Sequence, residues 1–83
     1  MRLAKNVKFR EEKFGGVLFE TRAEKVYTLT PTAAAVIQQI SAGRPPAEIA
    51  PALAERFDAP DGTIEREVTA FLADLREKGL VED

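Results

Sequence analysis

Lys25-Val26-Tyr27-Thr28-Leu29-Thr30-Pro31-Thr32-Ala33-Ala34-Ala35-Val36-Ile37-Gln38-Gln39-Ile40 changes its hydrophobic period within a few residues. Lys25–Leu29 alternates polar and apolar as a half-buried strand does. From Ala33 onward, Val36, Ile37 and Ile40 fall at helical spacing. Thr30 has the chemistry of an N-cap, and Pro31 suits the first helical position, where its missing N–H costs nothing. Tyr27 and Leu29 are expected to face inward, because Leu29 must join a core with the helix that follows. Val26 and Thr28 then point to the opposite face of the strand.

Upstream, Val7-Lys8-Phe9-Arg10 alternates in the same way, with Val7 and Phe9 on one face. Glu11-Glu12-Lys13 is polar, and Gly15-Gly16 can take positive φ as a turn or bulge. Val17-Leu18-Phe19 reads as a second strand, and Thr21-Arg22-Ala23-Glu24 as a tight connection into Lys25–Leu29. Two consecutive hairpins make a three-stranded antiparallel meander. The first six residues and the last two are expected to fray.

Downstream, Gly43 is placed to end the first helix. Ile49, Leu53 and Phe57 recur every four residues in a second helix. Pro51 cannot donate to the carbonyl four residues back, so that helix is expected to start near Glu48 or to have an irregular first turn. The third helix carries the stripe Ile64, Val68, Phe71, Leu72 and Leu75, with Asp61 as the expected N-cap and Gly79 just past its end. Leu80 can fold back onto the helix end. The order defines an α+β chain with residues 1–83 as one small winged-helix-like domain: a three-stranded antiparallel sheet followed by three helices.

Composition restricts function. The 83 residues are 45% apolar and 31% charged, with 12 basic against 14 acidic side chains and a net charge of −2. A chain of this size buries roughly 60–65% of its unfolded surface, enough for one modest core. No apolar run approaches the ~20 residues of a membrane span. There is no cysteine and no histidine, which removes disulfides, thiolate metal sites and the commonest general base. The only serine, Ser41, lies at the end of the first helix. No glycine loop has phosphate-binding spacing. The acids read as a solvated surface. Catalytic residues, metal ligands and cofactors are therefore expected to be none, and a cytoplasmic address fits.

Two binding readings remain. The second and third helices resemble a helix-turn-helix, which would put the third helix in a DNA major groove. Its polar residues, however, are Asp61, Glu65, Arg66, Glu67, Thr69, Asp74, Arg76, Glu77 and Lys78, five acids against three bases, and such a face repels phosphate. The other reading uses the sheet edge, where unpaired N–H and C=O groups can accept an extended peptide as an added strand. On a wheel of ~100° per residue, one flank of the third helix runs through Leu72, Arg76, Thr69 and Ala73 with Glu65 its only acid. On the other flank charges begin at once with Lys78, Glu67 and Asp74. The acid-poor flank is the candidate groove wall, a slightly wide core stripe being the alternative. On this reading Lys25, Val26, Tyr27, Thr28 and Leu29 supply the strand, and Thr69, Leu72, Ala73 and Arg76 the helix side.

Several segments resemble one family. They are Phe14-Gly15-Gly16-Val17-Leu18-Phe19, Val26-Tyr27-Thr28-Leu29-Thr30-Pro31-Thr32-Ala33-Ala34, Glu48-Ile49-Ala50 and Phe71-Leu72-Ala73-Asp74-Leu75-Arg76-Glu77-Lys78-Gly79-Leu80. In order and spacing, from Val7 to Val81, they resemble the PqqD-like family, the peptide chaperones or RiPP recognition elements of ribosomal peptide-modification systems. Pro45-Pro46 stands where many members have a threonine-type helix start, a difference that touches a cap and not the groove. The resemblance implies a βββααα fold and a precursor-peptide leader that adds as a strand beside Lys25–Leu29. It also implies a radical SAM maturase as partner. Neither nucleic acid nor membrane is then expected as a partner. The expected state is a monomer or weak homodimer, since an exposed edge also permits strand exchange between copies.

Overall fold

The expected meander is realised in the computed structural model, which describes residues Met1–Asp83; Val7–Arg10 alternates in burial, whereas Gly15–Leu18 is buried at every position. Strand β1 is Arg2–Leu3, β2 Val7–Glu12, β3 Gly15–Glu20 and β4 Lys25–Leu29. Helix α1 is Pro31–Ser41, α2 Pro46–Ala54 and α3 Thr63–Glu77, and β5 is Val81–Glu82. The main sheet is antiparallel with order β2-β3-β4. Phe9, Leu18 and Tyr27 stand in one cross-strand row, and Lys8, Phe19 and Val26 in the next. Rows of the first kind face the helices. Those of the second face outward, where the Arg10 guanidinium lies 5.5 Å from the centroid of Phe19. A continuous core of sixteen buried residues joins Val7, Leu18 and Leu29 of the sheet to apolar residues of all three helices.

Both longer helix ends follow their sequence signals. The Thr30 hydroxyl accepts from the Ala33 N–H at 3.2 Å, and Pro31 opens α1. Such a cap contributes about 1 kcal/mol. Past α3, Gly79 (φ +70°) turns the chain back: its N–H donates to the Arg76 carbonyl and that of Leu80 to the Leu75 carbonyl at 2.9 Å. This paired Schellman closure buries Leu80. Gly43 ends α1 with the same two bonds.

Four expectations are corrected. The termini do not fray as expected: β1 pairs antiparallel with β5, Arg2 forms an ion pair with Glu82 at 3.0 Å, and the Ala4 N–H donates to the Leu80 carbonyl. The Gly79 turn brings the two chain ends side by side, which no local periodicity announces. Gly15 and Gly16 lie inside β3, paired with Glu12 and Glu11, and the two-residue turn is Lys13-Phe14. A Cβ on Gly15 would fall 2.2 Å from the Leu29 carbonyl oxygen, so the glycine allows β3 to pass against the junction of β4 and α1. Helix α2 starts at Pro46 and not near Glu48, with Pro51 inside it and no side-chain cap; its first turn is irregular, as the alternative had it, the Glu48 N–H donating to the Pro45 carbonyl three residues back at 2.9 Å. Ala47 and Pro51 are both exposed, so water can meet the carbonyl that Pro51 leaves unpaired. Finally, the N-cap of α3 is Gly62 (φ +81°), one residue after Asp61. The first helical bond there runs from the Arg66 N–H to the Gly62 carbonyl at 3.1 Å.

Candidate functional site

Two strands border the main sheet, β2 and β4. Four of the six residues of β2 are charged (Lys8, Arg10, Glu11 and Glu12), the usual protection of an exposed edge. Strand β4 carries only Lys25. It is the edge suited to receive another strand.

The direction of its backbone groups follows from the neighbouring bonds. N–H and C=O groups alternate in direction along a strand. The Thr21 N–H donates to the Asn6 carbonyl at 2.8 Å, on the β2 side of the sheet. Phe19 and Val17 therefore also face β2, while Glu20, Leu18 and Gly16 face β4 and bond with Lys25, Tyr27 and Leu29, their register partners. The backbone groups of Val26 and Thr28 are left pointing away from the sheet. At the far end of the hairpin, the Glu20 carboxylate accepts the backbone N–H groups of Arg22 (3.0 Å) and Ala23 (2.6 Å), which fixes the turn into β4.

Side chains of β4 are divided as its alternation demands. Leu29 is buried and Tyr27 half-buried, whereas Lys25 and Thr28 are exposed and Val26 is 62% exposed. Beyond Leu29 lies a mainly apolar hollow of about 490 Å³ between β4, the start of α1 and α3. Leu29, Ala33, Val36, Ala70 and Phe71 supply its apolar lining, and Glu67 its one charge. A second hollow of about 240 Å³ lies near Lys25 and Tyr27, against Lys78 and Gly79. The Lys78 ammonium stands 6.0 Å from the centroid of the Tyr27 ring and is ion-paired with Asp74. Its hydrogen bond to Asp74 raises the lysine pKa above the ordinary value, so Lys78 is cationic throughout the neutral range.

The α3 flank beside β4 thus carries Glu67, Ala70, Phe71, Asp74 and Lys78, near-neighbours at helical spacing. Thr69, Ala73 and Arg76, expected on the groove side, are exposed about 150° round the helix. Leu72 is 8% exposed and belongs to the core. The structure brings Lys25–Leu29 together with the charged flank and not with Thr69, Ala73 and Arg76. The wheel located the stripe but not which neighbour lay on each side of it. What could have pointed to the flank beside β4 is the i, i+4 pair Asp74–Lys78, whose charges neutralise one another. No cluster of three or more potential metal ligands occurs, and no helix is long and apolar enough to cross a membrane.

A three-stranded antiparallel sheet with one sparsely charged edge, and a groove between that edge and a long helix, define a small α+β module. Residues 15–81 match the family described as coenzyme PQQ synthesis protein D (PqqD), and the chain belongs to this family. The resemblance read from the sequence is thereby borne out. Among solved structures, a chain described as "Lasso peptide synthetase B1 complexed with the leader peptide" is 27% identical with a TM-score of 0.82, covering 99% of this chain and 96% of that one. A second, described as "TbiB1 in Complex with the TbiA(beta) Leader Peptide", is 23% identical with a TM-score of 0.85, covering 99% and 95% respectively. The second likeness is one of fold. No curated protein sequence matches.

Proposed function

We propose that this protein is a non-catalytic chaperone that holds the leader of a ribosomally made precursor peptide as an added strand on β4 and presents it to a modifying enzyme. The observation that carries the reading is the β4 edge itself: Val26 and Thr28 turn their backbone groups outward beside an apolar hollow. Backbone pairing supplies affinity, and pockets on the α3 side supply selectivity. The proposed peptide-binding residues are Lys25, Val26, Tyr27, Thr28 and Leu29, with Glu67, Ala70 and Phe71 as the helix wall in place of Thr69, Leu72, Ala73 and Arg76. Presentation works by proximity, since a tethered substrate meets the enzyme at a raised effective concentration. That the family match is to PqqD and that the 27% identical relative is described as a complex with a leader peptide support this reading.

The enzyme partner has two readings. Resemblance to the PqqD-like chaperones points to a radical SAM maturase. The 27% identical relative is described as part of a lasso peptide synthetase, which favours a lasso-forming enzyme instead. Co-expression of the chaperone and its precursor with each enzyme class separates them by the product formed.

Strand addition is tested with a matched pair of prolines and calorimetric titration of the precursor leader. Proline removes an N–H and fixes φ. Val26→Pro removes an outward N–H and is expected to weaken leader binding at least about tenfold, roughly 1.4 kcal/mol, in a folded protein. Lys25→Pro removes a bond to β3 and is expected to lower the unfolding temperature instead. Full affinity in Val26→Pro would contradict the proposal.

A further inference from the structure

The two ends of the groove differ in charge. Around the apolar hollow beyond Leu29 the one charged lining residue is Glu67. At the opposite end, Arg22, Lys25 and Lys78 surround the smaller hollow, and Glu20 is its one carboxylate. That carboxylate accepts the two backbone N–H groups of the turn and stands across from Lys25 in the register of β3 and β4. Lys78 is paired with Asp74, but Arg22 and Lys25 form no ion pair. The Arg22 guanidinium is turned toward Asn6, whose side-chain oxygen accepts from it at 3.1 Å in the amide orientation that satisfies both groups. Lys25 lies on the same face of β4 as Tyr27 and Leu29, the face toward α3. Lys25 and Lys78 therefore stand where a strand paired with β4 would pass, and with Arg22 against Glu20 and Asp74 they leave this end of the groove with one excess positive charge.

We infer that the Lys25 end of the groove recognises a carboxylate on the bound peptide, so that the peptides this protein accepts pair an apolar anchor with an aspartate or glutamate. The inference rests on strand addition at β4 and names the substrate class of that site. Lys25 and Leu29 are four residues apart, about 13 Å of extended chain at ~3.3 Å per residue. In an added strand, side chains four residues apart emerge on the same face. The acidic residue then stands about four positions from the anchor, both turned toward α3.

A display library of random peptides long enough to span β4, selected on the wild-type protein, tests this. The expected enriched sequences carry Asp or Glu about four positions from an apolar residue. Replacing that acid by its amide in a synthetic copy should weaken binding about fivefold, the scale of one partly exposed ion pair. The loss should shrink at high salt, where such pairs are screened. The variant Lys25→Gln should bind the acidic peptide as weakly as the wild type binds the amide, and changing the peptide alone removes any question of folding. If enriched peptides lose affinity for the Val26→Pro variant yet show no acid preference, or the amide binds as well as the acid, the charge inference is overturned while strand addition stands. If enriched peptides bind the Val26→Pro variant as tightly as the wild type, or none is enriched, strand addition falls and the inference with it.

Discussion

Single residues set the groove in two ways, by leaving room and by closing it. Gly15 leaves room. With φ at +140° and a virtual Cβ 2.2 Å from the Leu29 carbonyl oxygen, it is the position least able to take a side chain. Gly15→Ala is expected to destabilise the fold by about 1–3 kcal/mol, read as a lower midpoint in thermal or denaturant unfolding; an unchanged midpoint would mean that β3 can shift away from Leu29 at no cost. Ala70 borders the apolar hollow. A carboxylate there, beside Glu67, should repel an anchor side chain, so Ala70→Glu is expected to weaken leader binding at least about tenfold. Ala73→Glu, placed on the far flank of α3, is expected to leave affinity unchanged. Calorimetry on the two folded variants decides which flank is the wall, and the reverse order of effects would return it to Thr69, Ala73 and Arg76.

At the level of elements, most of the fold was legible in the sequence because local chemistry and tertiary structure agree. The alternation of Val7–Arg10 and Lys25–Leu29, the Thr30-Pro31 start and the glycines at 43 and 79 all do in the structure what their chemistry specifies. What stayed hidden depends on neighbours. Strands β1 and β5 have two residues each, too few for any period, and exist because Gly79 returns the chain to its beginning. Helix α2 begins at Pro46 with no polar cap before it; a proline at the first helical position is a start signal, but Pro51 five residues on pulled the expected start toward Glu48. The edge identity of β4 was legible, but its outward backbone groups were not. They follow only from register, since a shift of one residue would exchange Val26 and Thr28 for Lys25, Tyr27 and Leu29.

The whole molecule carries a charge asymmetry that a net charge of −2 conceals. Residues 1–30, which hold the main sheet, have seven basic and four acidic side chains, whereas residues 31–83, which hold the helices, have five and ten. A helix-turn-helix reader presents cations on its recognition helix; here the helical half would repel phosphate. No mobility shift with duplex DNA is expected at micromolar protein and physiological salt. A shift whose affinity falls by several log units per log unit of salt would favour a DNA-binding regulator. Addition of a leader to β4 would be read directly by residue-resolved amide hydrogen exchange on the wild-type protein with and without saturating leader peptide. The expected result is alternation: Val26 and Thr28 exchange more slowly once the peptide is bound, while Lys25, Tyr27 and Leu29, already bonded to β3, change little. Unaltered exchange at Val26 and Thr28, with new protection in another part of the chain, would contradict it.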